Sequence, residues 1–257
     1  LFRRAGIEAA ELDARLLAER AFGLQRIELI NRERVEAEAD ALTALQAMAE
    51  RRLRGEPVSR ILGERDFFGL SFSLNEDTLV PRPETELLVE LALARLEGRP
   101  EPRVLDLGTG SGAIALAIAH CRPDAHVTAL DRSADALDVA RENARQLGLA
   151  ASVTFLASDW YAALPGNAAP FDIIVSNPPY IVSDDAHLSQ GDLRFEPVDA
   201  LTDHADGLAA LRTIVAGAPS RLLPNSWLLC EHGYHQAADV RALCRAAGLA
   251  DVTSERD

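Results

Sequence analysis

From Arg103 onward, short apolar runs alternate with longer amphipathic ones, and this rhythm restricts the possible folds more than any other feature of the chain. The segments "RVLDLG" (103–108), "HVTALD" (126–131), "VTFLASDW" (153–160), "FDIIVSNPPY" (171–180) and "SWLLCEHG" (226–233) read as strands. Between or after them, "SGAIALAIAHCR", "SADALDVARENARQLG", "GLAALRTIVAGAPSRLL" and "HQAADVRALCRAAG" have the length and 3.6-residue period of helices. Strongly apolar strands joined by crossover helices specify an α/β fold, a doubly wound and mostly parallel sheet. "DVTSERD" at 251–257 reads as the start of a last strand.

The chain before Arg103 follows other periods. Residues 1–55 read as helices: Ala9, Leu12, Leu16 and Leu17 precede a stop at Gly23, and Leu42, Leu45, Met48, Ala49 and Leu53 precede Gly55 and Pro57. Phe68, Leu70, Phe72 and Leu74 then alternate, and the turn residues Asn75–Asp77 suggest a hairpin. "PRPETELLVELALARL" restarts as a helix, with Pro83 suited to its first turn. The organisation expected is a helical domain over 1–65, a hairpin linker over 66–80 and an α/β domain over 81–257.

Composition narrows the function classes. The 257 residues are 48% hydrophobic, enough for a substantial core. No apolar run approaches the roughly 20 residues that span a bilayer, and the charged first residues do not resemble a signal peptide. Cys121, Cys230 and Cys244 are isolated, which fits reduced thiols in a cytoplasmic protein and offers no metal-ligand set. Net charge is −14, all 26 basic residues are Arg, and residues 71–257 hold 27 acids against 14 Arg. Such a body does not suit a partner bound chiefly through phosphates, so neither a direct nucleic-acid partner nor a membrane is expected.

In a doubly wound sheet, ligands sit at the carboxyl ends of the strands. Here four successive strands end in unusual residues. The first runs into "DLGTGSG", in which Gly108, Gly110 and Gly112, with Thr109 and Ser111, let backbone approach a ligand closely. The spacing is GxGxG rather than GxGxxG, and no Lys-Ser/Thr follows, so the tract is not a P-loop. The second strand ends in Asp131, placed either to accept hydrogen bonds from a ribose or to cap the next helix. The third ends in Asp159 and Trp160, an acceptor for an adenine amino group and a flat face, or a buried structural Trp. The fourth ends in "NPPY", whose prolines leave the chain extended and hold Asn177, Pro178, Pro179 and Tyr180 in fixed relation.

A nucleoside site beside a planar polar pocket resembles class I S-adenosylmethionine-dependent methyltransferases, and (D/N)PPY marks members that methylate nitrogen conjugated to a π system. An amide nitrogen is a poor nucleophile because its lone pair is delocalised. Two acceptors, the Asn177 side-chain oxygen and the Pro178 carbonyl, would engage both N–H bonds, while Tyr180 would stack on the amide. "PRPETE", "DLGTGSGAIALAIA", "SNPPYI", "FEPVDALTDHADGL" and "EHGYHQ" extend the likeness to bacterial release-factor glutamine methyltransferases over nearly the whole chain. This resemblance implies that S-adenosylmethionine is converted to S-adenosylhomocysteine. The methyl goes to the side-chain amide of the GGQ glutamine in class I peptide-chain release factors. It places cofactor contacts at Gly108–Gly112, Asp131, Asp159, Trp160 and Asn177, and substrate contacts at Asn177, Pro178, Pro179 and Tyr180. The helical domain over 1–65 would recognise the release factor. The family's pattern continues past Asp257 with a strand that completes the sheet, so the C-terminal end is expected to be truncated. Two other readings compete: a nucleic-acid adenine N6-methyltransferase, which would need a basic channel that −14 does not favour, and a non-catalytic nucleoside-binding module, which an intact Asn177–Tyr180 motif does not favour.

Overall fold

The computed structural model describes residues 1–24, 27–28 and 38–256. The part of the helical reading that falls on residues 25, 26 and 29–37 lies outside the described residues. Two compact units are present: Leu1–Glu64 with Ser189–Phe195, and Arg65–Leu188 with Glu196–Asp257.

In the first unit, α1 (Ala10–Phe22), α2 (Ala39–Leu53) and α3 (Val58–Leu62) pack together. Gly23 ends α1 in the left-handed conformation, the stop its position implies. Phe2, Leu17 and Ile61 form a small core, against which Leu45, Met48 and Ala49 pack. Leu12, Leu42 and Leu53 instead lie exposed. Each helix contributes only a narrow stripe to so small a core, narrower than its full apolar set. Arg52 donates to Asp13 at 2.6 Å and ties α2 to α1.

The second unit begins with a hairpin of β1 (Glu64–Phe67) and β2 (Leu70–Ser73). Its turn is Phe68–Gly69, where both residues have positive φ, and not the expected Asn75–Asp77. A two-residue turn of this kind matches the twist of the flanking strands. The alternation at Phe68 therefore ended one strand and did not continue it. Pro83 opens a short 3₁₀ turn that runs into α4 (Glu86–Arg95).

The core is a five-stranded sheet. It comprises β3 (Arg103–Leu107), β4 (His126–Asp131), β5 (Val153–Ala157), β6 (Phe171–Ser176) and β7 (Leu222–Cys230), in the order β5-β4-β3-β6-β7, and every neighbouring pair is parallel. The helices α5 (Ala113–Cys121), α6 (Ala134–Gln146), α7 (Val198–Leu201), α8 (Ala209–Gly217) and α9 (Ala237–Ala246) fall after β3, β4, β6 or β7. β7 begins at Leu222, earlier than expected, because the chain leaves α8 through a 3₁₀ turn at Ala218–Ser220. Residues 251–256 form no strand, although a last one was expected there. Alternation supplies a strand's propensity, but a strand exists only where a ladder partner pairs with it.

Apolar side chains fill both faces of the sheet. One face buries Val104, Leu116, Ile118, Val127 and Ile173, and the other Leu105, Leu107, Leu130, Ile174 and Ile214. Residues Ala113–Ala119 of α5 are all buried, which explains a helix that is apolar all round. α6 is amphipathic and properly started, with Ser133 Oγ accepting from the Ala136 N–H at 3.1 Å. Buried Asn143 on α6 donates to the carbonyls of Ser111 (2.9 Å) and Ser73 (3.1 Å) and accepts from the Ser73 N–H (2.8 Å), binding the glycine turn and the hairpin to one helix.

Gly112 is the point where α5 passes close to α6. It has φ 84°, and a Cβ there would lie 3.0 Å from Leu116 Cδ1 and 3.2 Å from Ala140 Cβ. Both the backbone and the packing therefore require glycine. Gly112→Ala should destabilise the fold by about 1–3 kcal/mol, the usual cost of overpacking a filled site, read as a lower midpoint in urea denaturation. An unchanged midpoint would show that the two helices separate freely.

Candidate active site

The parallel register sets the ends of β3, β4 and β6 side by side: Leu107 is level with Leu130 and with Ser176. The turn after β3 is pinned to β4. The N–H groups of Gly108 and Thr109 both donate to the Leu130 carbonyl, at 2.8 and 2.9 Å. The Gly110 N–H donates to Asp131 Oδ2 at 2.8 Å, and the Ser133 N–H to Asp131 Oδ1 at 2.9 Å. Ser133 is thus the helix cap, and Asp131 braces the glycine turn. A carboxylate offers about four acceptor positions, so both Asp131 oxygens keep capacity toward the cavity that Asp131 lines.

That cavity has a volume of about 530 Å³. Gly108, Thr109, Gly110, Ser111, Asp131, Asp159, Trp160, Asn177 and Pro179 all line it. Trp160 has φ 46° and does two things at once: it packs partly against the core beneath the sheet and presents a face to the cavity beside Gly108. Three sequence candidates stand outside the wall. Gly112 serves helix packing, Pro178 is buried, and Tyr180 is half-buried with its hydroxyl turned to Glu231 Oε1 at 3.1 Å. Burial first, and Glu231 second, raise the Tyr180 phenol well above its usual range, so the hydroxyl keeps its proton and donates.

Several further residues at the site come from the "PRPETE", "FEPVDALTDHADGL" and "EHGYHQ" segments, which carry the resemblance without giving the role of each side chain. Thr85 and Arg82 line the cavity from the "PRPETE" segment. That segment is clamped by Glu196, whose buried carboxylate accepts from the Val80 N–H (3.1 Å) and from Arg82 Nη2 (2.9 Å). Asn177 Nδ2 donates to Thr85 Oγ1 at 3.1 Å, and Thr85 Oγ1 donates to Glu231 Oε2 at 2.7 Å. The opposite wall carries Asp199, which pairs with His204 (2.6 Å) and Arg132 (3.0 Å). The His204 hydrogen bond, ahead of the Arg132 charge, holds the Asp199 carboxyl below the usual range. Gly207 admits the Tyr180 backbone: a Cβ there would lie 2.4 Å from the Tyr180 carbonyl oxygen. These partners sit far apart in sequence, so the segments signal a family without showing which side chains meet.

Asp106 is fully buried beneath the glycine turn. Burial raises its pKa to about 7, partly offset by the Thr109 hydroxyl donating at 2.6 Å, while the neighbouring Asp131 charge adds to the rise and the Ala115 N–H lowers it weakly. Its second oxygen, Oδ1, has no hydrogen-bond partner.

A parallel sheet with a glycine turn after β3, an acid ending β4 and Asn-Pro-Pro-Tyr after β6 is the fold of S-adenosylmethionine-dependent methyltransferases. Among solved structures, the hMettl16 catalytic domain bound to MAT2A 3'UTR hairpin 6 shares this fold, with a TM-score of 0.60, 18% identity, and 76% of this chain and 74% of that one covered. A SAM-dependent methyltransferase from Agrobacterium tumefaciens does so with a TM-score of 0.52, 20% identity, and 73% and 58% covered. Residues 84–192 match the Methyltransferase small domain family, and residues 1–63 match the PrmC N-terminal domain. The release factor glutamine methyltransferase of Burkholderia pseudomallei is 55% identical over 100% of this chain and 90% of its own length. Those of Bordetella pertussis and Escherichia coli are 55% and 42% identical, over 96% and 97% of this chain and 90% and 89% of their own lengths. The chain belongs to the release factor glutamine methyltransferase family. Among the described residues, no helix is long and apolar enough to cross a membrane.

The residues present fit the cofactor that this fold implies. The backbone of Gly108–Ser111 comes to the cavity wall without a bulky side chain in the way. Asp131 keeps acceptor capacity for hydroxyls, and Trp160 supplies a face for a flat base. The raised Asp106 pKa sets the sign of a pH effect. Folding disfavours the charged form, so the stability this group contributes is complete below its unfolded value near pH 4 and is lost as pH rises through about 7. Against an Asp106→Asn variant, the wild-type melting temperature should fall between about pH 5 and about pH 8. Parallel melting curves for the two proteins across that range would contradict the buried-acid reading.

Proposed function

We propose that this protein transfers the methyl group of S-adenosylmethionine to the side-chain amide nitrogen of the glutamine in the GGQ loop of class I peptide-chain release factors. The observation that carries this reading is the setting of Asn177. It lines the cavity beside the Asp131-braced glycine turn, and its amide nitrogen is already committed to Thr85. Its oxygen is thereby kept as an acceptor for a substrate N–H. Relatives over essentially the full chain carry the matching name. The nucleic-acid alternative shares the fold and the Asn177–Tyr180 chemistry, but the name its full-length relatives carry does not favour it.

When bound, the cofactor supplies an activated methyl on a sulfonium. The chain's task is positioning and electrostatics. Asn177 Oδ1 accepts from an N–H bond of the glutamine amide, fixes its nitrogen and raises its electron density. Asp131 would hold the ribose hydroxyls, Asp159 and Trp160 the adenine, and the backbone of Gly108–Gly110 would leave room for the rest. The methylated amide cation is acidic enough to release its proton to water. The helical unit over residues 1–64 is assigned the recognition of the release factor, because a single glutamine on a loop offers little surface for specificity.

Mass spectrometry of a release factor incubated with enzyme and cofactor should find one added methyl on the GGQ glutamine. Asn177→Ala should slow transfer on the order of 100–1,000-fold, as for loss of one preorganised polar group, and near-normal turnover in a folded variant would overturn the mechanism. Asp131→Ala should weaken cofactor binding by about 1–3 kcal/mol in calorimetry. Unchanged affinity would remove Asp131 from the cofactor site.

A further inference from the structure

Thr85 Oγ1 stands between Asn177 Nδ2 at 3.1 Å and Glu231 Oε2 at 2.7 Å. A threonine hydroxyl has a single proton. A carboxylate can only accept, so that proton goes to Glu231. Thr85 Oγ1 is then left as an acceptor, and it must be met by a donor. The only donor on the Asn177 side chain is its NH₂ group. The other Glu231 oxygen is occupied by the Tyr180 hydroxyl at 3.1 Å. The Glu231 backbone N–H is fastened to the Ser176 carbonyl at 3.0 Å, one residue before Asn177. Thr85 is held in place from its own side by the Glu196 clamp on Val80 and Arg82. The orientation of an asparagine amide is a matter of its hydrogen-bond partners, and here the partners leave one choice.

We infer that Glu231 and Thr85 are positioning residues for methyl transfer: the negative end of the relay dictates that Asn177 presents its oxygen, and not its NH₂, to the substrate amide. The inference rests on the function proposed above. Neither residue touches the reacting atoms. A reversed Asn177 would set its N–H groups against the N–H groups of the glutamine, and the nucleophile would lose the acceptor that fixes it.

The relay makes a polarity test available. Glu231→Gln keeps the shape but supplies a donor. Its NH₂ can bond to Thr85 Oγ1, the Thr85 proton then turns to Asn177, and the amide reverses. This variant should keep cofactor affinity in calorimetry and lose about 100-fold in kcat, the scale of one preorganised group. Thr85→Ser should restore what Thr85→Val loses. The decisive comparison is made in the Asn177→Asp background, where both oxygens accept and the chain of one-proton links has two carboxylates facing one hydroxyl. There Glu231→Gln should raise kcat, so the same substitution has opposite signs in the two backgrounds. Glu231→Gln with wild-type kcat, or a loss in both backgrounds, would overturn the inference. A second readout needs no turnover: the Asn177 side-chain amide resonances in ¹⁵N spectra should shift between wild type and Glu231→Gln, and unmoved resonances would overturn it. If the wild-type enzyme fails to methylate a release factor while those resonances shift, the proposed function falls and the relay stands.

Discussion

Leu107 pairs with Leu130 on one side and with Ser176 on the other, and this register is the constraint on which the site depends. Because the side chains of a strand alternate and its ladder is continuous, slipping either neighbour by one residue would move each of its side chains to the opposite face of the sheet. It would also carry Asp131 or Asn177 away from the glycine turn. The sheet is filled on both faces, so such a slip is costly in apolar burial. The energy that holds the site is therefore mostly hydrophobic, although the site itself is polar.

Onto that frame the chain adds polar fasteners that act across the strand ends. Leu130 O and Asp131 take the N–H groups of the turn. Asn143 ties the turn to α6, and Ser176 Oγ donates to the Leu107 carbonyl at 2.7 Å. Each satisfies a buried polar group that would otherwise oppose folding. Asp106 is the exception, with an unpartnered oxygen and a pKa near 7. A buried acid beneath a glycine turn is a local cost to the fold, of the kind that concentrates at functional sites.

The parts of the site legible in the sequence are those made by contiguous residues. The glycine turn, Asp131, Trp160 and the Asn177–Tyr180 segment each announce themselves within a few positions, because strand ends and prolines act locally. Gly112 looks like a ligand contact for the same reason, since a glycine in a turn signals close approach without naming what approaches; here it is Leu116 and Ala140. The hairpin turn falls at Phe68–Gly69 and not at Asn75–Asp77, because alternation marks strand character but not where the chain reverses. Residues 251–256 have a strand's pattern and form none, because pairing is not a local property.

What the sequence determined by itself is the α/β architecture, the order of strand and helix, and the chemistry offered at four strand ends, since period and turn residues dictate these within short windows. What only the tertiary structure decided is how those ends are supported. Thr85 meets Asn177 across 92 residues and Glu231 across 146, and Glu196 reaches Arg82 across 114. No periodicity relates such positions. They come together because β6 lies between β3 and β7 in the sheet and because the segment before α4 is clamped beside their ends, and those packings are properties of the whole fold.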